Sequence, residues 1–350
     1  MKILAIYDTY MPEESFRKAF SEIMKTNEVR FAYIMELDRK DPETDSENAI
    51  REYVGNPDEL AGLIKDEDIL VVHAAPVTDK VLQASPNLKA VFCVRGGPVN
   101  IDIESATRMG ILVGAAPGRN ADAVADFTLA LMLALARNLV GGVEFVRTNE
   151  QFTREAWEGF FGHELGGMTL GLVGYGNVGS RVAKRALSFG MAILVYDPYV
   201  EKAKIEAPGI SVTDLDTLLS LSDFVSIHAR EAPENENMIS AKQFAKMKKT
   251  AFFINTARGS LLDEDALYDA LSSGRIAGAA LDVMKVEPTD PSSKLVKLPN
   301  VLATPHIAGA SHEVRFRGAE IVARSIQNLI AGLPVNGLMN PEVASKKQRG

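Results

Sequence analysis

The chain has 350 residues, 46% of them hydrophobic and 24% charged, a balance that suits a globular protein of two domains and excludes a disordered or fibrous one. Its 38 basic side chains against 46 acidic ones leave a net charge of −8, so neither nucleic acid nor an anionic membrane is an expected partner. A single cysteine, Cys93, excludes an internal disulfide or a paired zinc motif; no metal is expected, and a reducing cytoplasm fits.

From the start of the chain, KILAIY (2–7), VRFAYI (29–34), DILVVH (68–73), AVFCV (90–94) and ILVGA (111–115) are predicted strands, with polar helical stretches between them. Strands alternating with helices predict a parallel α/β sheet. The opening MKILAIYD is too short and too soon acidic for a signal peptide. His73 closes the third strand, and the fourth runs into VRGGPVNID, where Arg95 stands beside Gly96 and Gly97. Backbone NH groups of such a glycine loop can hold a carboxylate, and Arg95 adds a cation.

From Asn120, NADAVADFTLALMLALARNL predicts one long amphipathic helix whose apolar core is too short to span a bilayer. Strands then resume as TLGLVG, AILVY, FVSIH, AFFIN, AGAALDV and NVLAT, which predicts a second sheet. A last helix runs from about Ser311 to Ile330, closed by Gly332 and Pro334, and residues 341–350 are expected to be a polar tail without period.

The second sheet opens with a dinucleotide-binding frame. TLGLVG leads into Gly174, Gly176, Asn177, Val178 and Gly179, followed by a helix with Val178, Val182, Ala186 and Phe189 on one face. A further strand leads to Asp197, 18 residues beyond the last glycine, close to the spacing of about 20 in the fingerprint. Gly174 permits the tight turn, Gly176 the approach of a pyrophosphate, and Gly179 the packing of helix on strand, while free NH groups at the helix start hold the anion. Asp197 is expected to accept hydrogen bonds from the adenosine ribose and to repel a phosphate there, which favours NAD over NADP.

Ligands of open parallel sheets lie beyond the carboxyl ends of strands. After AFFIN come Thr256, Ala257, Arg258 and Gly259; after AGAAL come Asp282 and Glu287; after NVLAT comes His306. An arginine for an anionic substrate, a histidine that carries a proton and a carboxylate that orients it are what hydride transfer at an oxygen-bearing carbon requires.

The glycine frame together with NTARGSLLDEDAL, ALDVMKVEP and TPHIAGAS resembles the D-isomer-specific 2-hydroxyacid dehydrogenases, in particular the branch of D-3-phosphoglycerate dehydrogenases and hydroxypyruvate reductases. The resemblance implies that His306 is the acid/base, that Arg258 binds the substrate carboxylate and carbonyl, that Glu287 pairs with His306, and that Asp282 contacts the nicotinamide carboxamide. It implies cofactor contacts from Thr256, Ala257 and His228, and dimerisation through the cofactor domain. It also implies a flavodoxin-like substrate domain that the chain leaves and re-enters (1–118 and 315–340) around a Rossmann NAD-binding domain (119–314), with the substrate in a cleft between them.

Three departures from that family stand out, the first bearing on the cofactor contacts near His228 and the other two on the substrate. Arg230 stands where a proline usually follows His228; Val99 replaces the usual acid of the glycine loop, which keeps Asn100 and Asp102; and His73 stands where phosphoglycerate enzymes tend to place an arginine. His163 and His312 are expected at the surface. The resulting expectation is a cytoplasmic, homodimeric, NAD-dependent dehydrogenase of a small D-2-hydroxy acid of the hydroxypyruvate, glyoxylate or 3-phosphoglycerate type. His73, Arg95, Gly96 and Gly97 are its substrate-binding candidates, and no regulatory extension is expected. An NAD(H)-sensing corepressor on the same fold is the alternative, with formate or phosphite oxidation as a third reading.

Overall fold

Five strands, β1 (Lys2–Tyr7), β2 (Glu28–Tyr33), β3 (Ile69–Val72), β4 (Ala90–Cys93) and β5 (Leu112–Gly114), form one parallel sheet in the order β2-β1-β3-β4-β5. Successive β1 side chains enter opposite faces, Ile3 and Ala5 packing with Phe16 and Phe20, Leu4 and Ile6 with Leu60 and Val81. Both faces are apolar because helices cover both, which is why these strands are short unbroken hydrophobic runs. The strand order is that of flavodoxin-like sheets, with the reversal of strand order between β1 and β3.

In this computed structural model residues 1–35, 44–148, 153–154 and 158–347 are described. Two units are distinguished, Met1–Asn120 with Ser311–Gly350, and Ala121–Ala310. The helix His312–Ile330 belongs to the first unit, where Ala319, Val322, Ala323 and Ile326 enter the core beside Phe16 and Phe92. The expected polar tail is corrected in part: Pro341–Lys347 is helical, and Val343 is buried in that same core. Ala344, partly buried, packs against it as well.

The second unit holds seven parallel strands, β6 (Thr169–Val173), β7 (Ala192–Tyr196), β8 (Ile210–Val212), β9 (Phe224–Ile227), β10 (Phe252–Asn255), β11 (Gly278–Leu281) and β12 (Val301–Ala303). Their order, β12-β11-β10-β9-β6-β7-β8, is that of a Rossmann sheet with one strand added, and the reversal falls between β6 and β9. The edge strand β8 is not among the predicted strands, because three residues at a sheet edge, only the first of them buried, carry too little hydrophobic pattern. The helix Ala121–Ala136 buries Val124, Leu129, Leu131 and Met132 within this unit. Among the described residues no single helix is long and apolar enough to cross a membrane; this helix and Leu139–Thr148 meet that measure only as a pair bent by 62°.

Candidate active site

In the second unit the turn after β6 is built by glycines with separate physical reasons. Gly174 has φ +100°, and a Cβ there would lie 2.7 Å from the Ala229 nitrogen, so neither the conformation nor the space admits a side chain. A Cβ on Gly179 would lie 2.2 Å from the Gly174 carbonyl oxygen, which is how closely the helix Asn177–Ser188 packs on the turn. Gly176 differs, since a Cβ there would meet nothing within 4 Å. No protein contact explains that glycine. It caps the helix without a side-chain acceptor, so the NH groups of Asn177, Val178 and Gly179 face forward uncapped. Open space before unpaired NH donors fits a pyrophosphate.

Asp197, at the end of β7, accepts from the Tyr175 NH at 2.7 Å through Oδ2 and from the Tyr199 and Val200 NH groups at 2.9 and 3.2 Å through Oδ1. Besides offering lone pairs to a ribose, it therefore braces the turn that carries the glycines. His228, after β9, lies against the same turn, and its Nε2 is 2.9 Å from Ser226 Oγ. Its Nδ1 is buried with no partner, and burial pushes the ring's pKa down to about 3, so the imidazole is neutral. A buried orphan nitrogen beside the glycine turn is what a bound cofactor would cover.

The loops after β10, β11 and β12 interlock. Thr256 Oγ1 meets Thr128 Oγ1 at 3.1 Å, and the Ala257 NH donates to Asn255 Oδ1 at 3.0 Å. Asn255 Nδ2 in turn donates to the Arg258 carbonyl at 2.9 Å, which holds Arg258 with its side chain exposed. Apart from a bond to its neighbour's carbonyl, the guanidinium has no partner among the described residues. A Cβ on Gly259 would lie 2.1 Å from the Met284 carbonyl carbon, so the loop bearing Arg258 lies directly on the loop bearing Glu287.

Asp282 is buried at the end of β11. Its Oδ1 accepts from Thr304 Oγ1 at 2.6 Å and the Ile307 NH at 2.9 Å, its Oδ2 from the Ala308 NH at 2.8 Å, and its carbonyl from the His306 NH at 2.8 Å. A carboxylate so engaged builds the turn around His306, a job that its place in the sequence did not disclose. His306 itself has φ +55°, unusual for a residue with a side chain and held here by that turn. Its side chain is 47% exposed and its Nδ1 lies 2.8 Å from Glu287 Oε2, while Glu287 Oε1 accepts from the Met284 NH at 3.2 Å. An ionised carboxylate only accepts, so the proton of the neutral ring sits on Nδ1 and Nε2 is left as the base. Arg258, Glu287 and His306 thus lie on three neighbouring strand ends.

The substrate-binding candidates all lie in the first unit. Gly96 and Gly97 are exposed, and their NH groups have no protein acceptor among the described residues. Arg95 is tied to Glu52, through Nη1 to its carbonyl at 2.8 Å and through Nη2 to its carboxylate at 2.5 Å. Asn100 is buried and donates to the Ala75 carbonyl at 2.7 Å, while Asp102 caps a helix at the Ser105 NH. Both residues kept from the usual loop serve its shape. His73 lies against Asp8, Nδ1 to Oδ2 at 2.8 Å, a partner absent from the sequence-based candidates. The available signal was an acid placed directly after the first strand of a doubly wound sheet. His163 and His312 are exposed.

Residues 129–308 match the family model of the D-isomer specific 2-hydroxyacid dehydrogenase NAD binding domain. Over 292 residues the chain is 43% identical to a glyoxylate reductase of Thermofilum pendens, covering 82% of this chain and 85% of that one. Over 278 residues it is 41% identical to a D-3-phosphoglycerate dehydrogenase of Archaeoglobus fulgidus, covering 79% of this chain and 52% of that one. The chain therefore spans about half the length of that relative. Among solved structures, the TT0316 protein of Thermus thermophilus is 31% identical with a TM-score of 0.76, over 97% of this chain and 100% of that one.

Proposed function

The chain belongs to the D-isomer specific 2-hydroxyacid dehydrogenases, NAD-linked oxidoreductases of 2-hydroxy and 2-keto acids, and on that premise we propose that it interconverts a small D-2-hydroxy acid and its 2-keto acid. The observation that carries the reading is the Glu287 and His306 pair, with the exposed Arg258 guanidinium on the adjoining loop. NAD, when bound, supplies the carbon that accepts or returns the hydride. His306 Nε2 takes the hydroxyl proton during oxidation and gives it back during reduction. Glu287 fixes the tautomer and stabilises the imidazolium formed in the first direction. Arg258 pairs with the substrate carboxylate and polarises the carbonyl, and Asp282 holds the turn that aims His306.

The uncapped helix start and the open space at Gly176 support a pyrophosphate site formed by Gly174, Gly176, Asn177, Val178 and Gly179. Asp197, His228, Thr256 and Ala257 complete the cofactor contacts, and Asp282 reaches the carboxamide through the turn it organises. Within the first unit, Arg95, Gly96, Gly97 and His73 are the candidates for contact with an acid. A homodimer is part of the reading, supported by the helix Leu139–Thr148, which buries none of its residues and exposes Leu139, Val140, Val143 and Val146. The acidic surface and the buried thiol of Cys93 support a cytoplasmic setting without nucleic acid or membrane as partners.

The test is NADH oxidation across a panel of 2-keto acids with and without phosphate groups. Turnover on at least one short acid is expected. Tight NADH binding with no turnover on the panel would favour the cofactor-sensing alternative.

A further inference from the structure

Arg230, which stands two residues beyond His228 in the loop after β9, has no part in the reaction outlined above. Strand order places β6 between β9 and β7, so the glycine turn after β6 has Asp197 on one side and residues 228–230 on the other. The approach on the second side is close. The His228 NH donates to the Val173 carbonyl at 2.8 Å, and a Cβ on Gly174 would lie 2.7 Å from the nitrogen of Ala229, the residue before Arg230. Arg230 is therefore the first long side chain on the β9 side of the turn.

The backbone of this loop is fixed while the side chain is left unpaired. Asn235 Nδ2 donates to the Arg230 carbonyl at 2.7 Å, and Asn235 Oδ1 accepts from the Ala232 NH at 2.9 Å. Arg230 is exposed, and its guanidinium has no hydrogen bond or ion pair among the described residues. The acids of the same loop are engaged elsewhere. Glu231 Oε1 accepts from Ser260 Oγ at 2.7 Å, and the Tyr199 hydroxyl lies 3.5 Å from Glu234 Oε1, a contact that joins the loops after β7 and β9 on either side of β6. Asp197, Glu231 and Glu234 thus place negative charge on both flanks of the turn, against which a helix start offers only about half an elementary charge. A pyrophosphate, itself a dianion, would be poorly compensated by backbone alone. Arg230 supplies a whole positive charge that no neighbouring acid has claimed.

We propose that Arg230 forms an ion pair with the pyrophosphate of NAD(H), a side-chain contact added to the NH groups of the glycine turn. This rests on the cofactor site described above and lies wholly within the second unit. Asp197 and Arg230 divide the cofactor between them, the carboxylate on the β7 side taking ribose hydroxyls and the guanidinium on the β9 side taking phosphate oxygens. A guanidinium can meet two such oxygens with parallel hydrogen bonds, which the proline usual in the family at this place cannot do. A phosphate on the adenosine ribose would fall on the Asp197 side. Arg230 therefore strengthens binding of either nicotinamide cofactor without choosing between them.

The experiment measures dissociation constants by NADH fluorescence, with ADP-ribose and adenosine as competitors, for the parent protein, Arg230→Gln and Arg230→Lys. Both variants should unfold at the parent's urea midpoint, since the side chain is exposed and unpaired. Arg230→Gln should weaken NADH and ADP-ribose by about tenfold or more, the scale of a hydrogen bond to a charged group, and leave adenosine within about twofold. Arg230→Lys keeps the charge without the planar fork and should recover part of the loss. The gap between parent and Arg230→Gln should narrow as NaCl rises from about 0.05 to 0.5 M, because screening weakens an exposed ion pair. With Asp197→Ser as the background, Arg230→Gln should weaken NADH and NADPH by the same factor. Affinities for NADH and ADP-ribose unmoved in Arg230→Gln, an equal loss for adenosine, or a loss confined to NADPH would overturn the proposal while leaving the cofactor site in place. A parent protein that binds neither NADH nor ADP-ribose would overturn both, and the 2-keto acid panel tests the dehydrogenase reading separately.

Discussion

Glu287 Oε2 lies 2.8 Å from His306 Nδ1, on loops that follow the adjacent strands β11 and β12, and this contact leaves Nε2 as the ring nitrogen that can meet a substrate. Replacing Glu287 by Gln substitutes a group that can donate as well as accept, so the tautomer is no longer fixed. Glu287→Gln should lower kcat by about 10²-fold or more, and His306→Ala by about 10³-fold or more, within the range lost with a general acid or base. NADH affinity, measured by fluorescence titration, should change by less than about threefold in both, since less than 1 kcal/mol of binding is at stake. Retention of most turnover in His306→Ala would refute the assignment.

Gly176 and Gly179 should respond oppositely to alanine. A Cβ on Gly179 collides with the Gly174 carbonyl at 2.2 Å, and backbone cannot step aside, so Gly179→Ala should cost about 2 kcal/mol or more of stability in denaturant unfolding. A Cβ on Gly176 meets no protein atom, so Gly176→Ala should unfold within about 0.5 kcal/mol of the parent. The same variant should weaken NADH binding by about tenfold or more, because the methyl group occupies the approach of the pyrophosphate. Parent-like NADH affinity in Gly176→Ala would remove the cofactor from that turn.

Asp197 should set the choice between the two nicotinamide cofactors. Its carboxylate would oppose a phosphate on the adenosine ribose, so NADH should bind the parent protein much more tightly than NADPH in calorimetric titration. Asp197→Ser removes the charge, and the gap should narrow by about tenfold or more. Comparable affinities in the parent protein would contradict the role given to Asp197.

The burial of His228 predicts a pH dependence of stability with a definite sign. Its folded pKa of about 3 lies below the ordinary value of 6.5, so unfolding takes up a proton at any pH between the two. Stability contributed by the neutral ring is present above pH 6.5 and falls as pH drops toward 3, by about 1.4 kcal/mol per unit for this one group. Urea midpoints measured from pH 7 to 4 should decline less steeply in His228→Gln than in the parent. Equal slopes would mean that the ring is hydrated.

The exposed apolar face of the helix Leu139–Thr148 predicts self-association. The double variant Val140→Asp, Val143→Asp should sediment as a monomer where the parent sediments as a dimer, with its far-UV circular dichroism unchanged, because neither side chain is buried within the subunit. A monomeric parent would exclude this face as the dimer interface.

Several of these features are legible in the residues alone, and for a local reason. The β6 strand, its glycine turn and the following helix lie within about 20 consecutive residues, so strand pattern, turn chemistry and helix period are all written side by side. Arg258, Glu287 and His306 can be named because each follows a strand of a parallel sheet, where the fold leaves polar groups exposed. What stays hidden depends on distance along the chain. The sequence marks His73 as a direct substrate contact without disclosing Asp8, which lies 65 residues earlier, and it offers Asp282 as a cofactor contact without disclosing its hold on the turn around His306.

Residue order alone determined the α/β class, the two sheets, the dinucleotide frame and the identity of the candidate acid/base, because periodicity and glycine placement act within a few residues of themselves. Tertiary structure decided which of those groups meet. Strand order puts β1 beside β3 and β11 beside β12. It thereby couples Asp8 to His73 and Glu287 to His306, fixing on each ring which nitrogen bears the proton. Hydrogen positions follow from the partner across the sheet edge, and that partner is chosen by how the crossover helices bury both faces of the sheet rather than by any neighbour in the chain.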